Sequence, residues 1–164
     1  MLITAKMNRK FGACYSDDRL AELYGDGKTP EQVATLTDGL WAEVSTADRC
    51  WILWRVLAIK NPAGMRECLA RMVERVLPAN CDPRSRAVVE AIRQDAVTDE
   101  IIAACAGAAR AARGAAYEAG RAAVYAAYAA DAAYEACTAA AAAADAGTEM
   151  KAQIADILEF LKGI

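Results

Sequence analysis

Between Thr98 and Gly147 the chain is built mostly from one residue type. Residues 96 to 147 hold 27 alanines in 52 positions, with no proline among them. Alanine is the cheapest residue to place in a helix, because it loses no side-chain entropy and hides no polar group. The stretch is therefore predicted to be helical. A methyl group removes little surface from water, so such a helix gains mainly by letting another backbone come close. The expected picture is a thin, smooth helical layer against which bulkier helices pack. Unbroken from Asp99 to Asp145, it would span about 70 Å at 1.5 Å per residue. A compact domain of this size has a radius of gyration of roughly 15 Å. A break is expected, at Gly114 or its neighbours, with Gly107 and Gly120 as the other candidates and a projecting antiparallel hairpin as the alternative.

The remaining sequence is organised into short helical units with readable starts. Thr4 is placed to cap a helix reaching Phe11 and stopped by Gly12. Ser16, followed by Asp17 and Asp18, caps a second, which carries Leu20, Leu23 and Tyr24 and ends at Gly25. Thr29-Pro30-Glu31-Gln32 combines a capping box with proline at the first helical position. Val33, Leu36, Leu40 and Trp41 are expected to form the apolar face of this third helix. Ser45 opens the most hydrophobic helix, Thr46 to Ile59, apolar nearly all round as a helix enclosed by others should be. Arg55 is the lone charge in its run Cys50–Ile59, four residues after Trp51, so a cation–π contact along the helix is available. It reads either as an arginine whose stem packs while its head reaches solvent, or as an arginine set in a binding cleft.

Asn61-Pro62 and Asp82-Pro83 repeat one start signal. The first helix buries Met65, Cys68, Leu69, Met72, Val73 and Val76 and stops at Pro78. The second runs to about Gln94 and buries Ala87, Val88, Ala91 and Ile92. Thr98 caps the alanine-rich layer. Gly147 and Thr148 mark a stop and restart before a last amphipathic helix with Met150, Ile154, Ile157, Leu158 and Leu161 inside. No segment alternates as a strand would. The fold class expected is all-α, one domain over residues 1–164 with about eight helices, close-packed and alanine-rich in the C-terminal half.

Several chemistries find no support. No run is long and apolar enough for a bilayer span, and Met1–Lys6 does not read as a secretory signal, so a cytoplasmic protein is expected. The six cysteines (14, 50, 68, 81, 105 and 137) include no Cys-x-x-Cys pair, and reduced thiols fit that compartment. Histidine, the commonest general base and metal ligand, is absent. No phosphate loop, dinucleotide fingerprint, zinc spacing or nucleophile elbow occurs. The reading is not an enzyme, with no cofactor and no metal. Residues 49–93 carry nine bases against four acids, whereas residues 96–164 carry five against nine. Arg66, Arg71, Arg75, Arg84, Arg86 and Arg93 fall on two consecutive helices and could neutralise phosphates if they converged. Interleaved acids favour a solvated face with local ion pairs instead.

Three features, taken in order, resemble a family. They are Gly12-Ala13-Cys14 after a short first helix, the Trp-rich run Cys50-Trp-Ile-Leu-Trp-Arg55, and an alanine-rich region with repeated Ala-Ala-Tyr units before an amphipathic C-terminal helix. This order is similar to the all-α immunity proteins of the Imm-5 type, from bacterial toxin systems and phages. Where that family carries Ala-Ala-Trp units, this chain has tyrosine. The resemblance implies a small non-enzymatic inhibitor that binds and blocks another protein. An anti-CRISPR-type inhibitor of a host defence complex, phage-encoded, is the alternative, and a nucleic-acid-binding accessory protein the second.

Helical geometry supplies a candidate partner-binding surface. At about 100° per residue from Ala115 onward, Tyr117, Arg121, Tyr125, Tyr128, Asp131 and Glu135 fall on one side of a single helix. The opposite side is almost wholly alanine and suits close packing on the body. Tyrosines beside charges suit either an interface or rings packed beneath a neighbouring helix with only their hydroxyls in water; for the interface, acidic surroundings would favour a protein partner with a basic surface.

Overall fold

Each α-helix starts where a side chain can accept a hydrogen bond from its first turn. The computed structural model describes residues 1–77, 82–111, 139, 142, 145–162 and 164. Among these, α1 (Ala5–Lys10) is capped by Thr4, α2 (Asp17–Tyr24) by Ser16, and α3 (Pro30–Thr35) by the complete Thr29/Gln32 capping box. Ser45 caps α4 (Thr46–Lys60), Asn61 caps α5 (Pro62–Val76), and Asp82 caps α6 (Pro83–Arg93). Then come α7 (Asp99–Ala111) and α8 (Ala146–Leu161). The described residues thus form eight α-helices and one 3-10 helix, with no strand. The all-α expectation stands.

The centre of the fold is α4. It packs against α3, α5 and α8, while α6 lies on α5 and α7 on α6. Leu53, Val56 and Leu57 are wholly buried and Trp54 nearly so. Each full aliphatic burial is worth about 1.5–3 kcal/mol, so this helix anchors the core. Enclosure is not complete, since Ile59 in the last turn is exposed. The last helix, α8, returns to cover α4, α5 and α3. Its buried Ile154, Ile157 and Leu161 do the apolar work expected of them.

Four local expectations need correction. The third helix stops at Thr35, and Leu40 and Trp41 belong to a separate 3-10 helix, Gly39–Glu43. Gly39 has φ +52, a left-handed conformation that side chains disfavour, and it turns the chain there. In α6 it is Val89, not Ala87, that joins Val88 and Ile92 in the core. The last helix starts two residues before the expected restart: Asp145 is its cap, accepting from the Thr148 amide, and Gly147 lies in its first turn. Gly107 is inside α7 and breaks nothing. The other two candidate breaks, Gly114 and Gly120, lie outside the described residues.

Ion pairs join the outer helices. Arg75 on α5 grips Glu149 of α8 with two N–H groups, at 3.1 and 2.9 Å, and also meets Asp156. Arg71 reaches Glu67 at 3.2 Å and Glu159 at 3.1 Å while standing over the Phe160 ring. Arg93 ties α6 to Glu67 and Glu74 of α5. Glu149 is itself buried and accepts from the buried Gln153 amide, whose oxygen receives the Cys50 thiol at 3.5 Å. A polar thread therefore runs from the α5 surface to the N-terminal part of α4.

Candidate functional site

The residues singled out as a partner surface, Tyr117, Arg121, Tyr125, Tyr128, Asp131 and Glu135, lie outside the described residues. The described part carries a different candidate, and two of the motifs behind the family resemblance meet in it. Leaving α1, the chain turns at Gly12, whose φ of +82 is a conformation glycine adopts at no steric cost. That turn lays Ala13, Cys14 and Tyr15 across from Trp51 and Ile52 on α4. Between them opens a cleft of about 460 Å³, floored by Leu23, Tyr24, Trp41 and Arg49. This volume falls within the range usual for ligand pockets.

The floor is rigid. The Tyr24 and Trp41 rings meet edge to face, 5.4 Å between centroids and 76° between planes, near the favoured aromatic geometry. Trp41 Nε1 donates to the Leu23 carbonyl at 3.0 Å. Arg49 lies under the floor, 7% exposed, its guanidinium 5.4 Å from the Trp41 centroid. Its Nε donates to the Val44 carbonyl and Nη1 to that of Val33, both at 3.1 Å. Nη1 donates also to the Leu36 carbonyl, and Nη2 to that of Trp41. Four carbonyls, from the last turn of α3 to the end of the 3-10 helix, thus converge on one planar cation, a fork only arginine can supply. No described carboxylate pairs with it.

The rim is softer. Tyr15 is half-buried and its hydroxyl donates to Asp48 Oδ2 at 3.1 Å; Ser45 Oγ donates to the same oxygen at 2.7 Å. Burial, and then the Asp48 carboxylate, push the Tyr15 hydroxyl above its ordinary pKa. Burial pushes Tyr24 up to about 12, against a hydrogen bond with the Asn8 amide that pulls the other way. Both phenols therefore stay protonated at neutral pH. Cys14 carries a free, exposed thiol at the mouth. The Trp51 ring is half-buried in the wall, with the Arg55 guanidinium 5.8 Å from its centroid. The cation–π pair expected from the spacing is present, but Trp51, not Arg55, lines the cleft.

Among the described residues no group of three cysteine or carboxylate side chains is placed to hold a metal ion, and no helix is long and apolar enough to cross a membrane. Cys14, Cys50 and Cys68 are free thiols. The six arginines of α5 and α6 do not form an open basic face. Arg66 pairs with Asp95, Arg84 with Asp82, and Arg71, Arg75 and Arg93 with the acids named above. Arg86 adds to the positive field at Glu74.

Arg49 is the residue that sequence reasoning passed over. It directly precedes the run in which Arg55 drew attention, and its partners are backbone atoms of a segment expected to be helical. A helix continuing to Trp41 would have used the Val33 and Leu36 carbonyls internally. The available signal was Thr37-Asp38-Gly39, a turn-forming triplet that argues against continuing the helix. No protein-family model matches the chain, and neither does any curated protein or solved structure.

Proposed function

We propose that this chain is a non-enzymatic inhibitor that binds another protein and blocks it, in the manner of the immunity proteins its sequence resembles. The observation that carries the reading is the cleft between the Gly12–Tyr15 turn and α4. Its walls offer half-buried Trp51 and Tyr15, residue types concentrated at the energetic centres of interfaces. Its floor is held by hydrogen bonds before any partner arrives, which spares the cost of ordering on binding. Its titratable groups are engaged in structure: Arg49 with carbonyls, Tyr15 with Asp48, and Tyr24 with Asn8. The Cys14 thiol has no histidine anywhere in the chain to activate it.

The tyrosine side of the alanine-rich region, centred on Tyr125 and Tyr128, is a second proposed contact. The ion-paired arginines of α5 and α6 speak for a protein partner over a nucleic acid. The test is capture of partners from bacterial lysate on the tagged chain, identification by mass spectrometry, and assay of the captured partner's own activity. Stoichiometric loss of that activity supports the proposal. A toxin would place the chain with immunity proteins acting in the cytoplasm, and a defence-complex subunit with phage inhibitors of the anti-CRISPR type. A bound partner whose activity is unchanged, or co-purifying nucleic acid alone, refutes it. Tyr125→Ala/Tyr128→Ala and Trp51→Ala, each with a melting curve, assign the contact to one surface or both.

A further inference from the structure

Charge makes the cleft selective. Asp48 stands in its wall one helical turn before Trp51, so carboxylate and ring share one face of α4. Asp48 Oδ2 is occupied by the Tyr15 and Ser45 hydroxyls, while Oδ1 accepts nothing among the described residues. No described cation pairs with this carboxylate. Of the arginines around it, Arg9 is paired with Asp17 and Arg19 with Glu43, whereas Arg49, held by carbonyls, and Arg55, over the Trp51 ring, keep their charge. The surroundings add to the imbalance. Between Gly12 and Asp48 the sequence holds eight acids and two bases. A carboxylate oxygen left free beside half-exposed aromatic rings attracts an organic cation, here against the opposing charge of Arg49 beneath the floor.

Resting on the inhibitor reading above, we propose that the cleft receives a basic side chain of the partner protein. An arginine or lysine would place its stem against Trp51 and Tyr15 and its charge against Asp48 Oδ1. The chain already pairs guanidinium with indole twice, Arg49 on Trp41 and Arg55 on Trp51. The incoming side chain adds a third such contact, supplied from outside. Ion pair and ring contact together distinguish a basic residue from an apolar one of equal length. The excess of acid over the same segment would also hasten encounter with a basic surface.

The experiment needs no knowledge of the partner. The tripeptide amides acetyl-Gly-Arg-Gly, its citrulline counterpart and acetyl-Gly-Leu-Gly are titrated into the full chain, following the indole N–H signal of Trp51 by NMR. The Arg peptide is expected to bind with Kd on the order of 1 mM. Citrulline, which keeps the shape and loses the charge, should bind about five-fold more weakly, the scale of one exposed ion pair. Asp48→Asn should produce the same loss while keeping an oxygen for Tyr15 and Ser45, and added salt should act in the same direction. Trp51→Ala, which removes that reporter and is therefore followed by the backbone amide signals of Cys14 and Tyr15, should abolish binding, read alongside its melting curve; if that variant is unstable, Asp48→Asn decides. Equal binding of the Leu and Arg peptides, or indifference to Asp48→Asn, overturns the proposal. The two readings also fail separately. A captured partner blocked equally well by wild type and Asp48→Asn removes the basic-side-chain site and leaves the inhibitor. Binding of the Arg peptide without any protein being blocked does the reverse.

Discussion

Replacing Arg49 tests whether the cleft floor depends on a fork of donors or only on a positive charge. Of its four hydrogen bonds, those to Val33 and Trp41 are buried and those to Leu36 and Val44 part-buried. In Arg49→Met the stem volume is kept and the guanidinium lost. Water can reach the two part-buried carbonyls but not the other two, and each buried acceptor left alone costs about 1–3 kcal/mol. Removing a buried cation returns part of that, because its desolvation is no longer needed. The expected net loss is about 3 kcal/mol, or roughly 6–12 °C in Tm for a domain of this size. Arg49→Lys conserves the charge, yet an ammonium bonds from a single point and cannot span carbonyls spread around a plane. It should therefore be at least as damaging as methionine. Urea unfolding followed by circular dichroism gives both values. A lysine variant within about 1 kcal/mol of wild type would show that charge, not fork geometry, holds the segment, and the account of the floor would be wrong.

Trp54 is 2% exposed and its indole N–H has no acceptor among the described residues. Trp54→Ala should cost about 3–5 kcal/mol, whereas Trp54→Phe, which removes the unpaired donor along with part of the ring, should stay within about 1 kcal/mol of wild type by the same denaturation assay. Of the three described thiols, Cys14 should label fastest in the native protein, and Cys14→Ser should remove one equivalent from the fast phase. Cys68, whose burial pushes its thiol pKa up, should react only on unfolding, and dithiothreitol should leave Tm unchanged. Glu74 has its pKa lowered, first by hydrogen bonds from Arg93. Its contribution is complete above the ordinary value of 4.5 and disappears as pH falls through the lowered one. Being largely exposed, it should account for on the order of 0.5 kcal/mol of the acid limb, absent in Glu74→Gln.

Helix starts were the most legible part of the sequence, for a local reason. Thr4, Ser16, Thr29, Ser45, Asn61 and Asp82 each need only their own following turn to act as caps. Buried faces were nearly as clear where one stripe repeats, as in α5. The misreadings fall where a local rule met a tertiary one. Leu36, Leu40 and Trp41 keep helical spacing, but the Leu36 and Trp41 carbonyls turn to Arg49 and Gly39 turns the chain between them. Val89 outweighs Ala87 because α6 is covered on one side by α5 and on another by α7, which widens its buried face. In the candidate site, Gly12-Ala13-Cys14 and Trp51 were each visible as motifs. That they face each other across a cleft depends on how α1 and α2 settle beside α4, a relation no single stretch encodes. Gln153 and Glu149 were invisible as interior residues, since polar side chains enter a core only when distant partners such as Arg75 and Cys50 receive them.

The position of α8 has a consequence for synthesis. Cys50 bonds to Gln153 and Asn61 to the Phe160 carbonyl, pairs separated by about a hundred residues. At 5–20 residues per second, the chain between Asn61 and Ala146 takes about 4–17 s to make. Throughout that interval the α4 surface that α8 will cover is already synthesised and has nothing to lie against. Microseconds suffice for α4 to become helical, so the nascent chain spends seconds with its central core helix partly uncovered. Such a surface is what holdase chaperones bind, and yield in cells should track their supply more closely than it tracks the stability of the finished fold.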